Sequence, residues 1–281
     1  MPLALTVALI GCGFIAGCQK QDDHPPFAAA CETDCRPVIG VAIGSGPSGP
    51  TVTTPTPDAG FDAGTLTGNV FELADDSFAR ETPFTQAATV VADGASGTSV
   101  SATWDGMNPY QLSGVAVEPT NWINVAPAAV QGDALPTLQA VETDATDMAD
   151  LVVVNSSVID DILTAVAATR APAFGQVVLF FRNAGTGEAL SGVQAVMNGN
   201  ASEAPAFAAA SGWVSPDDTT TTDSSGLVVF GNVELPAAGS TTQTVTVTRP
   251  ATATTAAAAG GTFPVKVVEG AVTIATIGVQ L

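Results

Sequence analysis

Four cysteines, one histidine and 27 acidic residues are the groups from which this chain of 281 residues could build a reactive centre. The histidine is His24, and none follows it. A serine nucleophile activated by histidine therefore lacks its base throughout the later chain. A cysteine nucleophile lacks one too. Cys31 and Cys35 lie in Cys-Glu-Thr-Asp-Cys, and a zinc site there would need two more nitrogen or sulfur ligands, with only His24 to hand. In an exported protein so close a pair reads first as a local disulfide, ahead of free thiols or a metal. Carboxylate pairs can cleave glycosides unaided. Asp144, Asp147 and Asp150, Asp160 with Asp161, and Asp217 with Asp218 are the candidates. Each falls in a loop or at a helix start, where acids serve solvation and capping. Calcium at the Glu142 to Asp150 cluster is the alternative to a solvated loop. The expectation is a protein with no catalytic residues, no metal and no cofactor.

The elements that would position chemistry begin with an apolar leader. Met1 to Gly17 holds no charged residue, and Leu3, Leu5, Val7, Leu9, Ile10, Phe14 and Ile15 make it apolar. It is shorter than the roughly 20 residues a spanning helix needs and fits the core of an export signal. Its end, Ile15-Ala16-Gly17-Cys18, resembles the lipobox of bacterial lipoproteins: a branched apolar residue, two small ones, then cysteine. That resemblance implies cleavage before Cys18, lipid on its thiol and acylation of the new amino terminus, giving a membrane anchor of several chains. Leu9-Ile10-Gly11-Cys12 fits the same pattern. Cys18 is preferred because polar Gln19 to Asp23 follows it, whereas Cys12 is followed by Gly13-Phe14-Ile15.

Residues 18–64 read as a disordered Pro/Gly-rich tether with no periodic apolar face. A coil of that length spans about 40 Å on average. The doublet Asp58-Ala59-Gly60-Phe61-Asp62-Ala63-Gly64 lacks the ligand spacing of a calcium loop. The formal charge is −20, with seven basic residues. Nucleic acid is excluded as a partner, since its binding rests on Lys and Arg.

From Thr65 the apolar period becomes two. Gly68 to Phe71, Ala88 to Val91, Ser99 to Trp104, Tyr110 to Val117, Trp122 to Val125 and Leu151 to Val154 read as strands, with a bulge at Gly114 where the phase shifts. Val158, Ile159, Ile162, Leu163 and Val166 recur at helical spacing over Ser156 to about Arg170. Ser157 and Asp160 form a capping-box-like start, and Pro172 stops the helix. Val177 to Phe181 is a buried strand, Gly185 to Glu188 a turn, and Leu190 to Met197 a strand. Asn198 to Thr222 reads as a long irregular loop carrying Phe207 and Trp213. Asp223-Ser224-Ser225-Gly226 is a type I turn. Leu227 to Phe230, Thr244 to Thr248, Phe263 to Val267, Val272 to Ile274 and Ile277 to Leu281 complete the strands, with Ala251 to Gly261 a loop.

Gly175-Gln176-Val177-Val178, then Gly185 to Ala195, then Thr222 to Val233 resemble the carboxypeptidase regulatory-like, transthyretin-like and Cna-B-type family of small sandwiches. Its pattern is a Gly-x-Val strand, a small-Gly-apolar strand and a Thr-Asp-x-x-Gly-x-apolar-x-Phe hairpin. Gly68-Asn69-Val70, Pro83 to Val90 and Tyr110 to Val115 follow the same order as a degenerate repeat. The resemblance implies an all-β fold: two tandem Ig-like or prealbumin-like β-sandwiches joined by one helix. The expected boundaries are a signal over 1–17, the tether over 18–64, a first sandwich over 65–154, the helix over 155–172 and a second sandwich over 173–281. It implies accessory, adhesive or carbohydrate-associated roles and carries no activity. Cna-B-type domains often hold a lysine isopeptide crosslink. Lys266 lies at the wrong end of the unit for one, so none is expected.

Trp104 and Trp122 lie in alternating strands and read as core. Trp213 and Phe207, in the loop, are the candidate ligand contacts. The functional expectation is a lipid-anchored cell-envelope protein with a non-enzymatic structural or adhesive role, placed at the outer membrane through its lipid. The second reading is a surface module that binds glycan or an envelope protein through the 198–222 loop.

Overall fold

In the computed structural model the described residues are 62–281, apart from 77, 79–80, 129–132, 145, 199–201, 218–219, 237–238 and 253–255. Cys18, Cys31, Cys35, the leader, Asp218 and nearly all of the tether lie outside them. Among the described residues no helix is long and apolar enough to cross a membrane.

Alternating apolar residues dictate strands through nearly the whole described chain. The first half contains β1 (Ala63–Gly68), β2 (Val70–Leu73), β3 (Glu81–Pro83), β4 (Ala88–Ala92), β5 (Val100–Trp104), β6 (Tyr110–Ala116), β7 (Asn121–Pro127), β8 (Ala134–Leu135), β9 (Thr137–Val141), β10 (Thr146–Met148) and β11 (Leu151–Asn155). Helix α1 spans Ser156–Ala165. The second half contains β12 (Gly175–Asn183), β13 (Gln194–Asn198), β14 (Ser202–Ala209), β15 (Gly212–Val214), β16 (Leu227–Val233), β17 (Ser240–Arg249), β18 (Ala258–Val268) and β19 (Val272–Val279). Among the described residues the fold is all-β with a single helix, as expected.

One sheet of nine strands, ordered β15-β14-β16-β12-β19-β9-β7-β4-β5, runs through both halves. The join is parallel pairing of β19 with β9, Val272 opposite Thr137 and Ile274 opposite Gln139. Two small sheets, β10-β1-β6 and β3-β2-β11-β8, belong to the first half, and β13-β17-β18 to the second. The halves expected as separate sandwiches thus share a sheet.

Three apolar cores follow. Leu66, Val70, Trp104, Tyr110, Leu112, Ile123, Val125 and Leu151 fill the first. Val177, Leu179, Phe181, Phe230, Val245, Val247, Phe263 and Val265 fill the second, between the nine-stranded sheet and β13-β17-β18. The third joins Leu73, Phe78, Val152 and Val154 to the buried stripe of α1 and to Val178, Phe180, Val229 and Ile274. Phe78 and Phe180 meet there edge to face, with ring centroids 6.1 Å apart. Side chains of β9 stitch the sheets together. The Gln139 amide donates to Val152 O at 2.9 Å and accepts from Val152 N at 3.0 Å. The Thr137 hydroxyl accepts from Val154 N.

The Gly114 bulge is present: the β1–β6 register skips from Val115 to Ser113, and Gly114 sits at φ +79. Helix α1 departs from expectation at both ends. Its N-cap is Asn155, whose side chain accepts from Ser157 N at 3.1 Å, so Ser157 and Asp160 form no capping box. The Asx side chain immediately preceding the helix outcompetes the serine two residues on. The helix stops at Ala165, and Arg170 folds back to pair with Asp160 at 2.8 Å. The stretch 198–222 is a second departure. It forms β14 and β15, because Ala204, Ala206 and Phe207 bury against β16.

Candidate functional site

A recess lies where the small sheet β13-β17-β18 ends against the nine-stranded sheet. Among the described residues β13 pairs with no strand but β17, so its outer side is an edge of that sheet. Its pleat sends Ala195 and Met197 inward and leaves Val196 60% exposed. Across from it, Pro205 and Phe207 of β14 and Phe230 of β16 form the floor. Pro216, Asp217 and Thr220 close one end. The recess measures about 430 Å³.

Local chemistry holds these walls. Thr222, 3% exposed, is the staple at the start of β13. Its hydroxyl donates to Leu190 O at 2.9 Å and accepts from Val193 N at 3.2 Å, while its backbone exchanges bonds with Gly192 and Val193. Thr220 Oγ1 donates to Asp217 Oδ1 at 2.8 Å, and Asp217 N donates back to that hydroxyl at 2.9 Å. The following hairpin is the expected turn: Gly226 N donates to Asp223 O, with Gly226 at φ +67. The recess therefore offers an apolar lining beside a line of backbone donors and acceptors. That combination suits an extended chain laid along β13.

The structure separates the two proposed ligand contacts. Phe207 is 2% exposed and lines the recess from the second core. Trp213, its near neighbour in the β14–β15 pair, packs on the third core against the opposite face. Its indole N–H donates to Asp76 Oδ2 at 3.1 Å. Phe207 and Trp213 cannot line one site, because adjacent register positions point to opposite faces. Trp104 is core, 3% exposed, with its N–H donated to Phe84 O at 2.8 Å. Trp122 is partly buried.

Of the carboxylate candidates, Asp147, Asp150 and Asp160 are engaged in local structure. Asp150 Oδ1 accepts from Asn69 N at 2.9 Å and from Asn69 Nδ2 at 3.2 Å. Asp147 Oδ1 accepts from Met148 N at 3.0 Å, and Asp160 pairs with Arg170. Among the described residues, no three His, Cys, Asp or Glu side chains are grouped to hold a metal ion. The displaced titrations are structural too. Asp105 accepts from Asn108 and Met107, and these bonds hold its carboxyl down at about 2. Burial, with help from Asp150 and Asp147, pushes the Tyr110 phenol up. Burial and then Asp93 raise Glu118. Sequence reasoning missed β13 as an edge. The only signal for it was the exposed Val196 in an otherwise regular alternation.

Compared with known protein families and with curated proteins, the chain matches none. Among solved structures it is similar to the Bacillus anthracis TIE protein, at 13% identity over 78% of this chain, with a TM-score of 0.23. The chain spans 34% of that protein's length. It is similar to the shaft pilin SpaA of Lactobacillus rhamnosus GG, at 11% identity over 76% of this chain and 97% of the pilin, TM-score 0.23. The pilus backbone protein RrgB of Streptococcus pneumoniae aligns at 11% identity over 73% of this chain and 57% of its own, TM-score 0.23. Scores of this size establish no common fold, and the pilus roles stay with those proteins.

Proposed function

We propose that this protein is held to a cell-envelope membrane by lipid on Cys18 and has a non-enzymatic structural or adhesive role. It engages an envelope protein by taking an extended segment against β13. The observation that carries the reading is the sheet edge beside the apolar recess, with Val196 60% exposed above it. Strand addition uses backbone bonds for affinity and alternate side chains in pockets for specificity, and this margin offers both. The lipobox-like Ile15 to Cys18 supports the anchor, and the tether supports a body standing off the membrane. On this reading the body comprises two tandem sandwich units, fused through β9 and β19.

Two substitutions in the full chain test the two parts separately. Cys18→Ala moves the protein from the membrane fraction to the soluble one and abolishes labelling by radioactive palmitate. Retained labelling contradicts the anchor. Val196→Lys puts a charge on the edge, the usual guard against strand pairing. It reduces retention of purified protein on solubilised envelope proteins at least tenfold, with unchanged thermal stability. Undiminished retention contradicts the β13 reading.

A further inference from the structure

The nine-stranded sheet is covered on both faces in its second half and on one face in its first, and the difference leaves a second margin. In β7, Trp122 and Asn124 point to the same face. Their cross-strand partners in β9 are Ala140 and Leu138. The same face of β19 carries Thr273, Ala275 and Ile277, the register continuing through Thr273 opposite Leu138. In the second half this face is roofed by β13-β17-β18. The roof ends at β18, its edge strand. The first core lies on the other face, with Ile123 and Val125. Among the described residues the strip of β7 and β4 beyond β18 has no second layer except where Trp122 packs against the second core, and a cleft of about 320 Å³ forms there.

Its chemistry differs from that of the β13 recess. Trp122, Asn124 and Leu138 form the floor, Asp93 one wall, and Ser240 and Lys266 the other. Asn124 Oδ1 is buried and has no hydrogen-bond partner. A buried acceptor left unpaired is destabilising. The fold gains nothing visible from it, since Val91 and Leu138, its cross-strand neighbours, are apolar. The single ion pair among the described residues is Arg170–Asp160, so the Lys266 ammonium is in none. The Asp93 carboxylate accepts no hydrogen bond from a described residue. The backbone of Asp93 is held in place instead, its N–H donating to Asn121 Oδ1 at 3.3 Å and its O accepting from Asn121 Nδ2 at 3.2 Å. An indole, an amide, a carboxylate, an ammonium and a hydroxyl thus converge on one cleft without partners of their own. The two charges that line the cleft, Asp93 and Lys266, are opposite in sign, which favours a neutral ligand over an anion or a cation. A flat indole with alternating donors and acceptors around it fits a polyhydroxylated ring, with its C–H face on Trp122 and its hydroxyls on the polar groups.

We propose that the cleft between β7 and β18 binds a neutral saccharide, independently of the β13 margin. Asn124 turns about its terminal torsion to meet the ligand. Trp122 supplies the platform, and Lys266 and Asp93 grip hydroxyls from either side.

The test uses the full-length protein with nitrogen-15 at its indoles, titrated with oligomers of N-acetylglucosamine, glucose and galactose, each up to 10 millimolar. At least one series shifts the Trp122 indole N–H resonance while leaving Trp104 and Trp213 unmoved. Asn124→Leu weakens that response at least tenfold and leaves the unfolding midpoint equal or higher, because it removes an orphaned acceptor. Lys266→Ala weakens it several-fold, and Val196→Lys leaves it unchanged. The proposal is overturned if no oligomer shifts Trp122. It is equally overturned if Asn124→Leu and Lys266→Ala bind like the parent, or if an extended peptide alone produces the shift. A fall in stability of Asn124→Leu would show the amide to be structural and would also overturn it.

Discussion

Leu163→Ala tests whether the two halves form one cooperative unit. Leu163 is 0% exposed, on the face of α1 that meets Val152 and Val154 of the first half and Val229 and Ile274 of the second. Leucine-to-alanine changes in cores cost about 2–5 kcal/mol, rising with the cavity left behind. Here the floor beneath the side chain is Gly231, where an added Cβ would lie 2.3 Å from Leu163 Cδ2. A glycine has nothing to move into the hole, so we expect the upper range, about 3–5 kcal/mol. The reverse change, Gly231→Ala, collides with Leu163 and costs about 1–3 kcal/mol by overpacking. In the double variant the new methyl enters the space the leucine vacates, and its next neighbour is Ala204 O at 3.1 Å. The two changes should therefore offset each other, with a coupling of about 1–2 kcal/mol. Urea unfolding followed by tryptophan fluorescence and by circular dichroism measures all four proteins. Trp104 reports the first core, Trp122 the second and Trp213 the third, and a single coincident transition is expected throughout. Two separated transitions, with only one moved by Leu163→Ala, would refute the shared core. Strict additivity would refute the packing of Leu163 on Gly231.

Three further predictions follow from buried or tightly held polar groups. Tyr110→Phe orphans the Ala149 carbonyl, which accepts from the phenol at 2.5 Å, and costs about 1–3 kcal/mol at neutral pH by thermal or urea unfolding. The folded phenol titrates above its ordinary 10.0, so parent stability is constant below that pH and falls as pH rises past it, a fall the phenylalanine variant lacks. Gln139→Leu leaves Val152 N–H and C=O unpaired between β9 and β11 and should lower stability by about 2–4 kcal/mol. Asp105, with its carboxyl at about 2, lends the β5–β6 hairpin stability that is complete above the ordinary value of 3.8 and fades as pH falls toward 2. Carbon-13 titration of its carboxyl checks the midpoint, and Asp105→Asn removes the step.

Much of the local architecture was legible in the chain because it rests on short-range rules. The bulge at Gly114 follows from a phase shift that only one inserted residue can absorb. The Asp223 to Gly226 turn follows from an Asx acceptor and a glycine that tolerates positive φ. The stripe Val158, Ile159, Ile162 and Leu163 announced α1, although Asn155 took the cap that Ser157 was expected to hold. The alanine-rich 198–222 stretch misled because small side chains carry little periodic contrast. Its strand character comes from pairing with β16, a partner distant in sequence.

The sequence by itself determined the β class, the one helix of the described residues, the apolar run that ends at Cys18 and the lack of a histidine after His24. These depend on residue type, period and neighbours along the chain. Tertiary structure alone decided that β19 pairs with β9, so that the halves share a sheet and a core. It also decided that Phe207 and Trp213 face opposite ways, and that β13 and β18 are edges. Each is a choice among strand partners with similar apolar faces, and long-range register makes that choice. The crevices at the two margins exist because a three-stranded sheet roofs only part of a nine-stranded one.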